Sequence, residues 1–349
     1  ITHILELSFV LEEGDRREFV QGDDYTIHFH KHKCQFIMPK AFQREHLHND
    51  TVALSALLLA YPFIGNRILF EFPISKEFAT ILDTQTGKKI IYRRDDSITA
   101  RRVSGNGIGG INFNATNESL AVVELSVDSD VLTLLDPISS MNKDFQYLLM
   151  DMSYIRGKRV VSLKSDAIEM YREYYKNKKI SSSRLCFDLA EYIPILLFSD
   201  YYTIKHMYLN SYIRDVDQLE MNHKRVDYYR TNRWKLYNTS GSYKNINRFQ
   251  FWKALFSGVG LDIQVPLGGI TRMGIQKIIA KCPYKEYLPI CKMGYIDKQC
   301  GRCKPCLVHA WMNWYYHNTP LEFDMDKLKS CKIIYAYTLY YYRDSEQLK

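Results

Sequence analysis

The chain has 349 residues, 46% of them hydrophobic and 25% charged, the balance of one large globular domain or two ordinary ones. Its longest apolar run, Thr51 to Gly65, is too short to cross a bilayer and contains Pro62, which argues against a membrane span. The net charge of +8 permits an anionic partner without demanding one. The chain begins at Ile1 and shows no secretory signal, and half of its eight cysteines are clustered. That usage suits a reducing, cytoplasmic compartment and a metal better than a disulfide framework.

Residues 1–47 alternate polar and apolar, as in LELSFVLEE and DYTIHFHKHKCQFIMP, and predict short strands in one small antiparallel layer. His28, His30, His32 and Cys34 recur at period two and would share a strand face, either as a second metal site or, preferably, as a solvated surface. From Asp50 the run DTVALSALLLAYPF predicts an apolar helix capped by Asp50 or Thr51. NRILFEFPI then reads as a buried strand, Ser75 as the cap of a helix to about Leu82, and GKKIIYRR as a further strand. Val103–Ser119, VSGNGIGGINFNATNES, reads as a Gly/Asn-rich loop. Alternation of strand and helix is the sign of a parallel sheet covered by helices, an α/β fold.

Leu120–Leu135, LAVVELSVDSDVLTLL, reads as a strand, a short turn and a helix start. Asp128 and Ser129 would then sit at a helix N-terminus, where backbone N–H groups and the helix dipole favour an anion; simple N-capping by Asp128 or Ser126 explains the same residues. Further on, KRVVSLKSD reads as strand and turn, SSSRLCFDLAEYIPILLF as a buried helix with Pro194 in or ending it, and IKHMYLNS as the next strand. Residues 223–253 mix Lys and Arg with Tyr, Trp and Phe and hold a single acid, Asp227. An insertion with packed aromatics and solvated charges explains them; so does a surface for nucleic acid or a protein partner.

Near the C-terminus Cys291, Cys300, Cys303 and Cys306 have the spacing C-x8-C-x2-C-x2-C. Four thiolates in a short knuckle match tetrahedral zinc, with Zn–S near ~2.3 Å, and leave no open position, so the zinc would be structural. An iron–sulfur cluster is the rival. Lys292, Lys298, Arg302 and Lys304 would offset the negative charge, and Cys282 is an alternate ligand. Cys34, Cys186 and Cys331 read as isolated buried thiols.

Two stretches carry a family resemblance. Glu124–Ser129, E-L-S-V-D-S, resembles the pyrophosphatase loop S-G-G-x-D-S of ATP-cleaving enzymes with the adenine-nucleotide α-hydrolase fold. Asp128 and Ser129 keep the end of that motif; its first serine and both glycines are replaced, and Glu124 would repel a triphosphate. Val265–Ile279, VPLGGITRMGIQKII, followed by the cysteine spacing, resembles the 7-cyano-7-deazaguanine synthase (QueC-like) family, with Arg272 where that family usually has lysine. The resemblance covers roughly residues 110–315.

It implies a Rossmann-like (HUP-type) parallel sheet with helices on both faces and a C-terminal zinc knuckle, preceded by a smaller β-rich region. The implied division is 1–100, a QueC-like domain at 101–318 with the knuckle at 291–306, and a tail at 319–349. The implied activity is an ATP- and Mg²⁺-dependent ligase that adenylates a carboxylate of a deazaguanine-like or macromolecular acceptor, with Ser126, Asp128, Ser129 and Arg272 at the nucleotide. The alternative is a catalytically inactive binding subunit of an antiviral defence or nucleic-acid modification complex. The knuckle gives the first test: the purified chain should carry stoichiometric zinc by elemental analysis, and Cys303→Ser should abolish it. Unchanged metal content in that variant would sink the reading.

Overall fold

In a computed structural model of the chain, the described residues are 3–21, 25–103, 107–113, 117–126, 131–137, 157–175, 178–180, 188–210, 248–267, 270 and 272–282. The expected N-terminal strands form: β1 (His3–Ser8), β2 (Glu18–Gln21), β3 (Tyr25–Phe29) and β4 (Lys33–Met38), all antiparallel to their partners. They do not make one layer. β1 pairs with β4, and β2 with β3 in a different sheet. Ile27 and Phe29 of β3 enter the same core as Cys34, Phe36 and Met38 of β4, so the inward-facing positions switch from odd to even between the two strands while the chain runs on against β10 and then β9.

That switch of parity dissolves the expected histidine row. His28 lies on β3, with its Nδ1 3.2 Å from Glu18 Oε2. His32 meets Phe29 edge-on at the bend between β3 and β4, and Cys34 is fully buried on β4.

The first helix, α1 (Asn49–Ala60), is capped by His48 and not by Asp50 or Thr51; the Asp50 N–H donates to His48 Nδ1 at 3.2 Å. Asp50 is instead fully buried, and its carboxylate accepts from the N–H (2.8 Å) and the hydroxyl (2.7 Å) of Ser75. After β5 (Arg67–Pro73), Ser75 caps α2 (Lys76–Thr86) as expected, accepting from Phe78 N–H at 3.1 Å. The carboxylate thus locks the two helix starts together, with charge-assisted bonds. β6 (Lys89–Arg93) returns parallel to β5.

The Gly/Asn-rich stretch is not all loop. Ile108–Asn112 is a strand, β7, and it is the middle one of the five parallel strands of the large sheet. Its glycines are there because neighbours occupy the space: a Cβ on Gly109 would lie 2.2 Å from the Tyr208 ring, and one on Gly110 would lie 3.1 Å from Ile195. The next segment is the reverse of the expectation. Asn117–Leu125 is a helix, α3, and Val131–Pro137 a strand, β8. A short apolar run does not distinguish a buried strand from a buried helix.

β9 (Arg159–Ser165) forms as expected and is followed by β10 (Tyr171–Tyr175) and β11 (Lys178–Ile180), which join β2 and β3. The expected buried helix is shorter, α4 (Ile193–Phe198), with Pro194 in its first turn, where a missing N–H costs nothing. β12 (Ile204–Tyr208), α5 (Arg248–Gly258), β13 (Asp262–Gln264) and α6 (Arg272–Ala280) complete the described elements.

The large sheet is mixed but mostly parallel, in the order β1-β4-β9-β8-β7-β12-β13. From β9 to β13 every pairing is parallel; β1 and β4 add an antiparallel margin along β9. Adjacent strand residues fall into separate apolar clusters. Val131, Val161 and Met207 pack with α1 and α4, whereas Leu132, Val160, Ile111 and Tyr208 pack with α3 and α6. Helices therefore cover both faces. No helix among the described residues is long and apolar enough to cross a membrane.

Burial raises the Cys34 thiol pKa far above its ordinary value of 9.0, with smaller contributions from the Asp166 and Glu6 charges. A raised acid holds its proton in the fold while the unfolded chain ionises, so its stabilising contribution is complete below pH 9 and lost above it. The unfolding free energy of wild type relative to Cys34→Ala should fall by about 1.4 kcal/mol per pH unit above that point. Urea titrations on the alkaline side check it; a difference independent of pH would refute the burial argument.

Candidate functional site

In an open parallel sheet, ligands bind outside the carboxyl ends of the strands, where the strand order changes direction. Here that point lies between β7 and β12: the chain runs from β7 outward through β8 and β9, then returns to the other side of β7. The carboxyl ends that meet there are Asn112–Phe113 and Tyr208–Asn210, and α3 begins at Asn117 just beyond.

One side chain ties the three together. Asn210 Nδ2 donates to the Asn112 carbonyl at 2.5 Å and to Ser119 Oγ at 3.0 Å. Its own N–H donates to the Tyr192 hydroxyl at 2.8 Å. Only the NH₂ end can serve a carbonyl acceptor, so the orientation of the Asn210 amide is fixed. The N–H of Leu209 donates to the Gln264 carbonyl at 2.9 Å, which carries the arrangement across to β13.

Among the described residues two buried polar atoms at this point have no partner, Asn112 Nδ2 and Asn210 Oδ1. A buried donor or acceptor left unpaired costs about 1–3 kcal/mol. One is a donor and the other an acceptor, the pattern that an amide or the edge of a nucleobase would complete. The first turn of α3 adds backbone N–H groups that have no acceptor within the helix and the positive end of a helix dipole, and Glu118 stands in that turn.

The residues expected at a nucleotide are divided. Ser126 follows the last residue of α3, nearly buried, and its carbonyl accepts from Lys158 Nζ at 2.7 Å. This is the negative end of the helix dipole, where a cation is favoured and a phosphate is not. A nine-residue helix is about 13 Å long, so Ser126 is roughly that far from the α3 start. Asp128 and Ser129 lie outside the described residues, between the end of α3 and the start of β8. Arg272 opens α6, which follows the parallel strand β13 and packs against α3. It therefore belongs to the same carboxyl edge as Asn112 and Asn210.

The four knuckle cysteines also lie outside the described residues. Among the described residues no cluster has the makings of a metal site. Cys282, the alternate ligand, is buried with its Sγ 3.3 Å from Glu124 Oε1. Of the basic aromatic segment 223–253, only residues 248–253 are described. Phe251 and Trp252 are core residues, each 5.5 Å from the Tyr61 ring, not exposed stacking platforms.

Asn112, Ser119 and Asn210 were not legible as a site, because no local motif joins them and the loop reading hid the strand. The signal available was NATNES at 114–119, ten residues before Glu124–Ser129, the stretch that resembles the phosphate loop.

The model of a family of unknown function, DUF6395, matches residues 251–332. The match begins in α5, takes in β13 and α6, and includes all four clustered cysteines. No curated protein matches the chain, and no solved structure does.

Replacing Asn210 by Ala removes its bonds to the Asn112 carbonyl and the Ser119 hydroxyl. Unfolding should become easier by about 2 kcal/mol, measured by urea denaturation. Asn210→Asp, which cannot donate, should cost at least as much; a neutral Asp variant would show that the amide donor is dispensable.

Proposed function

We propose that this chain binds a nucleotide at the β7/β12 switch point and is built on the Rossmann-like (HUP-type) fold of ATP-cleaving enzymes. The observation that carries the proposal is the strand order β9-β8-β7-β12-β13, all parallel. Numbered from the central strand outward, this is the 3-2-1-4-5 order of doubly wound nucleotide folds.

In that fold the first strand-to-helix turn cradles phosphate, and the corresponding turn here runs from β7 to α3. The motif S-G-G-x-D-S then falls on Asn114–Ser119, N-A-T-N-E-S, and not on Glu124–Ser129. The acid survives as Glu118, the final serine as Ser119, and small residues, Ala115 and Thr116, stand for the glycines. Glu118 would hold a Mg²⁺ carried by the phosphates, since a hard cation takes carboxylate oxygen. Arg272, at the same edge, would balance phosphate charge. Asn112 Nδ2 and Asn210 Oδ1 would orient the base or the acceptor.

ATP, when bound, supplies the leaving group that makes a carboxylate reactive towards ammonia. The reaction class is therefore QueC-like ATP-dependent ligation or amidation of a deazaguanine-like or macromolecular carboxylate. The cysteines Cys291, Cys300, Cys303 and Cys306 would hold structural Zn²⁺ beside it. A second reading, a binding subunit without chemistry, is favoured by Ala115 and Thr116. A Cβ at each position hinders the close backbone approach that glycine permits.

Calorimetry with ATP·Mg²⁺ tests the site. Saturable binding should weaken about tenfold or more in Glu118→Gln, roughly 1.4 kcal/mol, and remain unchanged in Asp128→Ala. Loss in Asp128→Ala alone would return the phosphate to the later stretch, and no binding at millimolar ATP would end the proposal. Binding without turnover, whatever carboxylate is offered, would favour the binding subunit.

A further inference from the structure

β5 and β6 stand apart as a two-stranded parallel sheet. Parallel strands occur almost always in larger sheets with both faces covered, and two strands alone are marginally stable. The inner face is covered: Ile68 and Phe70 are buried in the main core with residues of α1 and α2. The outer face carries Arg67, Leu69 and Glu71, all exposed, with Leu69 52% exposed. Ile91 of β6 stands in register with Leu69, which lengthens this apolar strip. Among the described residues no strand pairs with the far edge of β5 or of β6.

The two edges differ in charge pattern. β6 runs from Lys89 to Arg93 with Arg94 following, so two copies paired antiparallel along it would set like charges opposite each other. β5 reads Arg67-Ile68-Leu69-Phe70-Glu71 and is self-complementary. Paired antiparallel about Leu69, its Arg67 faces the Glu71 of a second copy, and its Glu71 faces that copy's Arg67. Leu69 meets Leu69, and Ile68 meets Phe70.

Arg67 also has Lys89 as its register neighbour, an unfavourable like-charge contact on the same face. Within the chain its Nε is bonded to Glu12. The guanidinium has further N–H donors for a second carboxylate.

We propose that a second copy of this chain docks on the free edge of β5, giving a continuous four-stranded sheet with a two-fold axis at Leu69. Such an isologous contact closes on itself and limits the assembly to a dimer. The occupant follows from the charge order, since the edge that would repel its own copy is β6 and the edge that would attract it is β5. The pairing would also extend the apolar strip across the axis, from Ile91 and Leu69 of one copy to Leu69 and Ile91 of the other.

Sedimentation velocity on the full chain tests the proposal. Wild type should sediment as a dimer at micromolar concentration. Leu69→Asp and Leu69→Lys should each sediment as monomers, because each sets like charges face to face at the axis. An equimolar mixture of the two should recover the dimer. Leu69 is exposed, so neither change should alter the circular dichroism spectrum. A wild-type monomer, a dimer that survives both substitutions, or a mixture that stays monomeric would each overturn it.

Discussion

The fold depends on how narrow β7 is. It is the central strand of the parallel array, and two of its five residues are glycines that a neighbour on each side nearly touches. Tyr208 occupies the space beside Gly109, and Ile195 the space above Gly110. A side chain at Gly109 would force the Tyr208 ring away and separate β7 from β12. The close approach of β12 is what creates the switch point, so the missing side chains of β7 are a condition of the site as well as of the core.

Opposite edges of the sheet are fastened by different chemistry. At the amino edge Arg101 is buried ahead of β7; it donates to Asp200, which precedes β12, at 2.5 Å, and to the Val259 carbonyl, which precedes β13, at 2.6 Å. One guanidinium thus gathers the starts of three strands, using its fixed fork of donors. At the carboxyl edge Asn210 gathers the ends of β7 and β12 and the first turn of α3. Among the described residues the charged amino-edge contact leaves Arg101 Nη2 without a partner, and the neutral carboxyl-edge contact leaves one donor and one acceptor. A neutral donor–acceptor pair is the kind of group a ligand can complete without a large desolvation penalty.

Legibility followed the physical strength of each signal. Ser75 was readable because an N-cap has a local mechanism, one side-chain oxygen accepting one N–H. His48 was not, because a histidine cap is uncommon and Asp50, the better capping residue, was drawn into the core by Ser75. The strands with alternating patterns, β4, β5 and β9, could be read directly. β7 could not, since its apolar character lies in its neighbours and its own residues are those of a turn. The inversion of α3 and β8 has the same root: Leu120–Val123 is buried throughout and has no polar face to reveal its period.

The inversion bears on function because helix polarity decides where an anion can sit. A strand followed by a helix points the helix N-terminus at the carboxyl edge; a helix followed by a strand brings the helix C-terminus to the amino edge. Glu124, Leu125 and Ser126 belong to the second kind of junction, and the Lys158 ammonium at the Ser126 carbonyl is the charge that junction attracts. The junction between β7 and α3 belongs to the first kind. A motif matched by letters alone fits either place, but only a strand-to-helix turn supplies the converging N–H groups that phosphate requires. The same polarity argument puts the start of α6, and with it Arg272, beside the start of α3. Arg272 and the turn between β7 and α3 therefore lie at one edge of the sheet, although they are more than a hundred residues apart in the chain.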